Sequence, residues 1–293
     1  MVRHPDVVRL RKVEYTGTGE QLQQRGGHRA HSRKAFMQSA YQFGDGDLAS
    51  RRLALLAEVF EPTTADLLRT AAPPSPALAV DLGCGPGHTT ALLARTLRPR
   101  RLLGVDASET FLTEARLRVP EARFERRDLL TEPPCAEPAA LLFARYLLSH
   151  LPEPARALSL WSASLVCGGV LAVEELEAIE PGQEDFAEYL SVVEAMLADQ
   201  GSTLYVGPAL AALPDPPGTV RSLDRPRRFP VDARQASRMF QMNIPNWRDR
   251  PFIRERFGDA RIDRLAAALR RIEERGAANA PQWTLRQIAW QKL

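Results

Sequence analysis

The stretch AVDLGCGPGHTTALLA, residues 79–94, places three glycines within five positions, directly behind a short apolar run. Glycine has no Cβ atom, so it permits left-handed backbone and the close approach of another group. The apolar run predicts a buried strand, and the residues after the glycines have the spacing of a helix. Together they predict the first strand–turn–helix unit of an α/β sheet.

The chain then repeats this alternation. Apolar runs typical of buried parallel strands are found at 76–82, 101–106, 122–130, 139–148 and 168–177, with helical spacing at 87–97, 107–119 and 152–166. Further helices are expected at 47–70, 184–200 and over most of 231–275, and further strands at 219–229 and 282–291. This pattern predicts the α/β class, with a mostly parallel sheet and helices on both faces.

Length and composition limit the classes of protein to which this chain can belong. With 293 residues, of which 44% are hydrophobic, the chain can bury a large core. No apolar stretch approaches the roughly 18 residues that span a membrane, and no secretory signal opens the chain. We therefore expect a cytoplasmic protein without a membrane partner. Cys84, Cys135 and Cys167 lack metal-ligand or C-x-x-C spacing, so we expect reduced thiols and no metal site.

The charge is concentrated at one end. Residues 1–36 contain eight Lys/Arg and three Asp/Glu, whereas the remainder contains 31 and 33. We expect a basic, disordered leader over 1–36 and one folded domain over 37–293. The alternative is that the basic tail binds nucleic acid or a membrane surface.

The glycine spacing indicates the kind of ligand. Ligands of open α/β sheets bind at the carboxyl ends of the strands, where this turn lies. A dinucleotide fingerprint, G-x-G-x-x-G, needs glycine where His88 stands, which disfavours a nicotinamide-dependent dehydrogenase. Asp81, just before the glycines, suits a ligand with an ammonium group. A plain tight turn would explain one glycine better than it explains three.

Two further acids follow at predicted strand ends. Asp106 lies 25 positions after Asp81, where a carboxylate can accept hydrogen bonds from both hydroxyls of a ribose. Asp128 ends the third predicted strand and can accept a hydrogen bond from an adenine amino group. Each acid alone is more often a local cap, but three in succession predict a nucleoside site.

The motifs VDLGCGPG, LLGVDAS, RRDLL and GGVLAVEE resemble those of class I S-adenosylmethionine-dependent methyltransferases over residues 40–180. The resemblance implies a Rossmann-like seven-stranded sheet with only the last strand antiparallel, and S-adenosylmethionine as cofactor. It implies that Asp81, Gly83 and Gly85 line the methionine part, that Asp106 binds the ribose, and that Asp128 and Leu129 hold the adenine. Cys84, Gly87 and Ala107 lie in the same motifs and are predicted to belong to the cofactor site.

The residues before the first motif extend this resemblance. YQFGDGDLASRRL, residues 41–53, is similar to an N-terminal segment that folds over the cofactor in some small-molecule members. Tyr41 or Arg52 would then contact the methionine carboxylate, because a guanidinium can bind two carboxylate oxygens. The alternative is that Arg52 is an exposed helix residue.

Methyl transfer from a sulfonium is a direct displacement, so the enzyme mainly aligns the nucleophile and excludes water. A base is required only when the nucleophile arrives protonated. The candidates are His150, whose ordinary pKa suits neutral pH, and Glu174 or Glu175, with Glu175 preferred. The alternatives are a structural histidine at a helix start and structural glutamates.

We predict a helical lid in two insertions, near 178–215 and 231–275. Their apolar and aromatic residues suit a small organic acceptor, or else they simply pack the lid on the sheet: Phe186, Tyr189, Tyr205, Phe240, Met242 and Trp247. The predicted function is small-molecule methylation, for example in secondary metabolism. The sequence does not decide whether the protein forms a homodimer. The alternatives are an RNA or protein methyltransferase that uses the basic tail, and a non-catalytic S-adenosylmethionine-binding protein. Nucleic acid is not the expected partner, because no RNA-binding module is recognisable.

Overall fold

The structure, a computed structural model, describes residues 46–293 and contains one seven-stranded sheet. Its strands are β1 (Ala79–Leu82), β2 (Leu102–Asp106), β3 (Arg123–Arg126), β4 (Ala139–Arg145), β5 (Leu165–Glu180), β6 (Thr219–Pro230) and β7 (Gln282–Lys292), in the order β3-β2-β1-β4-β5-β7-β6. Strand β7 runs antiparallel to both of its neighbours, whereas all other neighbouring strands are parallel. The predicted sheet with an antiparallel last strand is thus confirmed.

Nine α-helices accompany these strands in the described part of the chain. They are α1 (Asp47–Ala71), α2 (His88–Leu97), α3 (Glu109–Arg118), α4 (Pro154–Ser162), α5 (Glu184–Asp199), α6 (Gly207–Ala212), α7 (Ala233–Trp247), α8 (Pro251–Phe257) and α9 (Asp259–Arg275). Side chains of α1 and α2 pack on one face of the sheet, with Ala172 of β5. Those of α4 and α6 pack on the other face, with Val173 of β5. The side chains of the neighbouring residues Ala172 and Val173 therefore point to opposite faces of the sheet, as strand geometry requires.

Helices α5, α7, α8 and α9 form a third apolar cluster, which we call the helical cap. The cap packs on Leu176 of β5 and Trp283 of β7. Strand β4 ends at Arg145, which pairs with Glu174, so the cap lies at the carboxyl ends of the parallel strands. Four aromatic residues predicted for the lid are at most 4% exposed and belong to this core: Phe186, Tyr189, Phe240 and Trp247. Packing therefore accounts for their positions.

Some predicted boundaries were wrong. The strand expected over 122–130 ends at Arg126, so Asp128 lies two residues beyond it. The helix expected over 152–166 stops at Ser162, and β5 begins at Leu165. Proline at the first helical position explains the start of α4 at Pro154. Helix α6 was not predicted.

Two predictions lie outside the described residues: the leader over 1–36 and the role of Tyr41. Within residues 46–293, no helix combines the length and the apolar character that crossing a bilayer requires.

Candidate functional site

The three glycines connect β1 to α2, and all three adopt positive φ: +65° at Gly83, +52° at Gly85 and +85° at Gly87. A Cβ atom on Gly83 would lie 2.9 Å from Leu147 Cδ1, and one on Gly87 would lie 3.0 Å from Cα of Ala115 in α3. Among residues 46–293, a Cβ atom on Gly85 would meet nothing nearer than Leu53 Cδ1, at 3.9 Å. Protein atoms therefore crowd two of these glycines, a leucine side chain at Gly83 and helix backbone at Gly87, and of the three only Gly85 has open space beside it among the described residues.

Asp106 ends β2 beside this loop. Its Oδ2 accepts a hydrogen bond from Gly85 N at 2.8 Å, and its Oδ1 accepts one from Ser108 N at 2.8 Å. Two backbone donors thus fix the carboxylate next to the open side of Gly85. A carboxylate has about four acceptor positions, so it can also accept hydrogen bonds from a diol. The adjacent Ala107 is exposed, and its carbonyl accepts from Arg126 Nε at 3.1 Å.

Asp81 lies beneath the loop and is only 1% exposed. Its Oδ2 accepts a hydrogen bond from Thr90 Oγ1 at 2.6 Å. Burial raises the pKa of this carboxyl to about 6, although the hydroxyls of Thr90 and Thr89 and the charge of Arg145 act in the opposite direction. The ionised form is therefore costly unless a cation lies nearby.

Cys84 is buried, and its Sγ lies 3.0 Å from the Cβ position of Gly104. Burial, with the charges of Asp81 and Asp106, raises the pKa of its thiol. The side chain thus packs into the sheet, and a contact between Cys84 and a cofactor would have to come from its backbone.

Asp128 acts as a local cap. Its Oδ1 accepts from Leu130 N at 3.0 Å, and its Oδ2 accepts from Thr131 Oγ1 at 2.9 Å. The carbonyl of the buried Leu129 accepts from Trp161 Nε1 at 2.9 Å. These contacts correspond to the local-cap alternative, and contact of Asp128 and Leu129 with adenine stays a prediction.

Arg52 lies in the first half of α1 and is 5% exposed, so the alternative of an exposed helix arginine was wrong. The next residue, Leu53, is the nearest neighbour of the Gly85 Cβ position. This end of α1 therefore reaches the glycine loop. Burial and, to a smaller extent, the charge of Arg52 together lower the pKa of His150 to about 4. Arg52 and His150 thus lie near each other, and His150 is neutral at pH 7.

Glu175 is completely buried in β5. Its Oε1 accepts hydrogen bonds from Leu147 N and Leu148 N, each at 2.7 Å. Burial raises the pKa of this carboxyl to about 8, against the effect of these backbone donors. The two predicted catalytic residues thus lie close together in the fold. His150 follows β4, and Glu175 binds the backbone of Leu147 and Leu148, just before His150.

Sequence reasoning missed two residues at the end of β4. Tyr146 has a left-handed φ of +54°, which is unusual for a large side chain, and its ring centroid lies 5.4 Å from that of Phe60. Leu147 contacts the Gly83 position. Nothing in the sequence signals either feature, because both depend on contacts with distant segments. Within the part of the chain that the structure describes, no three His, Cys, Asp or Glu residues are grouped so that they could hold a metal ion.

Comparisons with known proteins agree with this geometry. Residues 79–169 match a family model described as a methyltransferase domain. Over 109 residues the chain is 39% identical to a trans-aconitate 2-methyltransferase of Variovorax paradoxus (strain S110). The aligned region covers 37% of this chain and 42% of that relative. A trans-aconitate 2-methyltransferase of Methylobacterium nodulans is 42% identical over 116 residues, or 40% of this chain and 45% of the relative. The chain therefore spans less than half the length of the curated relatives it matches.

The fold has a counterpart among crystal structures. A provisionally assigned methyltransferase from Bacillus halodurans C-125 superposes with a TM-score of 0.53, over 78% of this chain and 97% of that chain. The sequence identity is 16%, so this likeness concerns the fold alone.

Proposed function

This chain carries a class I S-adenosylmethionine-dependent methyltransferase domain, and from that premise we propose that it transfers a methyl group from S-adenosylmethionine to a small organic acceptor. The observation that supports this most is the carboxylate of Asp106, which Gly85 N and Ser108 N hold beside Gly85, the one glycine of the three in this loop whose Cβ position is open among the described residues. The proposal includes one domain over 37–293 after a basic leader, a cytoplasmic location, and a lid formed by the helical cap and the α6 region.

The cofactor residues have distinct proposed roles. Asp106 accepts hydrogen bonds from the ribose hydroxyls, and the adjacent Ala107 borders the same edge. Asp81 lies next to the α-ammonium group, whose charge offsets the cost of ionising a buried carboxyl. The backbone of residues 83–87 surrounds the methionine part, and Arg52 and Tyr41 are its candidate carboxylate contacts. Asp128 and Leu129 remain the candidates for adenine.

When bound, S-adenosylmethionine supplies a methyl group already activated on its sulfonium. The chain has to align the acceptor and exclude water. The matched relatives are named for trans-aconitate, a carboxylic acid, and we propose an acidic acceptor here as well. A carboxylate is already deprotonated at neutral pH, so it needs no general base. The lowered pKa of His150 then fits a neutral side chain that contacts the acceptor better than it fits a strong base.

The first experiment is calorimetric titration with S-adenosylmethionine, S-adenosylhomocysteine and NAD, on the wild type and on Asp106→Ala. We expect micromolar binding of the first two ligands, none of NAD, and a large loss of affinity in the variant. Asp128→Ala is tested alongside, since it separates an adenine contact from a local cap by its effect on affinity. Binding of NAD alone, or of no ligand, would refute the proposal.

The second experiment follows transfer of a labelled methyl group to a panel of small carboxylic acids that includes trans-aconitate, and to alcohols and amines. Turnover restricted to the acids would support the acidic acceptor. Cofactor binding without turnover on any acceptor would instead favour the non-catalytic binding protein.

A further inference from the structure

Residues 146–150, which we call the β4 turn, connect the end of β4 to the segment before α4. The turn carries Tyr146 at φ +54°, Leu147 against the Gly83 position, and His150 near Arg52. A left-handed backbone at a large side chain persists only when the surroundings hold it in place. The position of Leu147 on the glycine loop therefore depends on whatever restrains this turn.

The restraint comes from another strand. Residues Leu148–His150 form one short 3-10 helix, and its N-cap residue, Leu147, makes no side-chain capping bond. Instead, Glu175 Oε1 accepts hydrogen bonds from Leu147 N and Leu148 N, each at 2.7 Å. A carboxyl oxygen of β5 thus performs the capping that the local sequence does not provide.

The second carboxyl oxygen of Glu175 argues against a role of this residue as a general base. Oε2 is buried and has no hydrogen-bond partner among the described residues. Since the atom is closed to solvent, an acceptor could reach it only if the surrounding chain moved. The geometry therefore suits a group that holds the backbone better than one that takes a proton from an acceptor.

We propose that Glu175 is a positioning residue, whose carboxyl oxygen Oε1 holds the β4 turn so that Leu147 stays on the glycine loop and His150 stays beside Arg52. The claim about the turn stands on the contacts alone. Its effect on cofactor binding rests on the proposed function, because that effect is transmitted through Gly83.

The chain offers a matched control in the preceding residue. Glu174 is equally buried in the same strand, but it faces the other way. Its Oε1 accepts from Gln287 Nε2 at 2.7 Å, and its Oε2 accepts from Thr64 Oγ1. Its hydrogen bonds thus join β5 to α1 and β7, and none of these side-chain bonds reaches the β4 turn.

The test compares Glu175→Ala, Glu175→Asp, Glu175→Gln and Glu174→Ala by four measurements: melting temperature, amide hydrogen exchange at residues 147 and 148, the Kd of S-adenosylmethionine, and turnover of a methyl acceptor. We expect Glu175→Ala and Glu175→Asp to speed exchange at both amides and to weaken cofactor binding by about tenfold, because the capping acceptor is lost or too short. Glu175→Gln keeps an oxygen for these amides, so it should restore both quantities to within about threefold. Glu174→Ala should lower the melting temperature without either effect.

Several outcomes would overturn the proposal. Equal changes in exchange and Kd for Glu174→Ala and Glu175→Ala would mean that both glutamates only stabilise the fold. Loss of turnover in Glu175→Gln with normal exchange and Kd would mean that Glu175 is a base. If the wild type bound no S-adenosylmethionine, the proposed function would fail, while the exchange data would still decide whether Glu175 holds the turn.

Discussion

Single glycines in the loop after β1 serve different purposes, and alanine substitutions can separate them. Gly83, Gly85 and Gly168 all have positive φ, but in the described part of the chain only Gly83 of these three has a neighbour within 3 Å of its Cβ position, and Gly168 has none within 4 Å. Gly168→Ala should therefore cost about 1 kcal/mol, from backbone strain alone. Gly85→Ala should cost a similar amount, whereas Gly83→Ala should cost about 1–3 kcal/mol more through overpacking against Leu147. Urea unfolding measures all three.

The same variants test the cofactor site. If the space beside Gly85 belongs to the cofactor, Gly85→Ala should weaken S-adenosylmethionine binding by at least about tenfold, although its stability should be similar to that of Gly168→Ala. Gly168→Ala, which lies in β5 away from the loop, should bind normally. Equal affinities in these two variants would show that the open space at Gly85 is not used.

Asp81 should make the ligand-free protein less stable at alkaline than at acidic pH. Its folded-state pKa of about 6 lies above the ordinary value of 3.8. Protonation therefore favours the folded state, so the stabilisation from this group is complete below pH 3.8 and is lost as the pH rises through 6. The two-unit shift corresponds to about 3 kcal/mol as an upper figure.

Asp81→Asn removes this charge but leaves an amide N–H₂ to satisfy, which costs about 1–2 kcal/mol. The variant should be about 1–2 kcal/mol more stable than the wild type at pH 8, with no gain at pH 5, and it should bind S-adenosylmethionine much more weakly. Urea unfolding at the two pH values and calorimetry measure these effects. A variant that is less stable at both pH values would show that ionised Asp81 is well solvated in the fold.

At the scale of elements, one buried polar chain joins α1, β5, β7 and β6. Gln287 of β7 donates to Glu174 at 2.7 Å and to the Thr63 carbonyl at 3.0 Å, and its Oε1 accepts from Arg225 Nε at 2.9 Å. Gln287→Leu leaves the buried Glu174 carboxyl, the buried Thr63 carbonyl and the partly buried Arg225 guanidinium each short of a partner, so it should lower the free energy of unfolding by about 2–3 kcal/mol. Gln291→Leu, whose amide makes one exposed bond of 3.4 Å, is the control and should cost less than about 0.5 kcal/mol. Similar losses in both variants would contradict a cooperative network.

The strands and helices also show which features of the fold and of the site could be predicted from the sequence. The buried parallel strands and the last strand were predictable, because apolar runs and glycine turns are local signals. The polar residues of β5 were not: neighbouring Glu174 and Glu175 look alike in VEELE, yet one bonds to Thr64 and Gln287 and the other to Leu147 and Leu148. Their roles follow from the side of the strand that each faces and from chain segments that lie about 30 to 110 residues away, which no local pattern encodes. The same limit applies to Gly87, whose missing Cβ atom makes room for α3.

At the scale of the whole molecule, the uneven charge allows an experiment to distinguish two hypotheses: a small-molecule methyltransferase, and an RNA or protein methyltransferase. The +3 net charge is concentrated in residues 1–36, while the sheet and the helical cap belong to a nearly neutral remainder. Any attraction to nucleic acid should therefore come from the leader and should fall steeply with salt. The open position at Gly85 and Asp106, by contrast, lies entirely within residues 46–293.

A chain that starts at Met37 should accordingly keep its S-adenosylmethionine affinity and its turnover of small acids within about twofold of the full chain, because surface changes away from a site have small effects. Any RNA binding of the full chain should disappear in the truncated chain and, before truncation, should weaken between 50 and 200 mM salt. Calorimetry and labelled-methyl transfer on both chains, with total RNA and bulk protein as competing acceptors, make the comparison. Transfer to RNA or protein that is lost on truncation, with no small acid methylated by either chain, would favour the macromolecular methyltransferase instead.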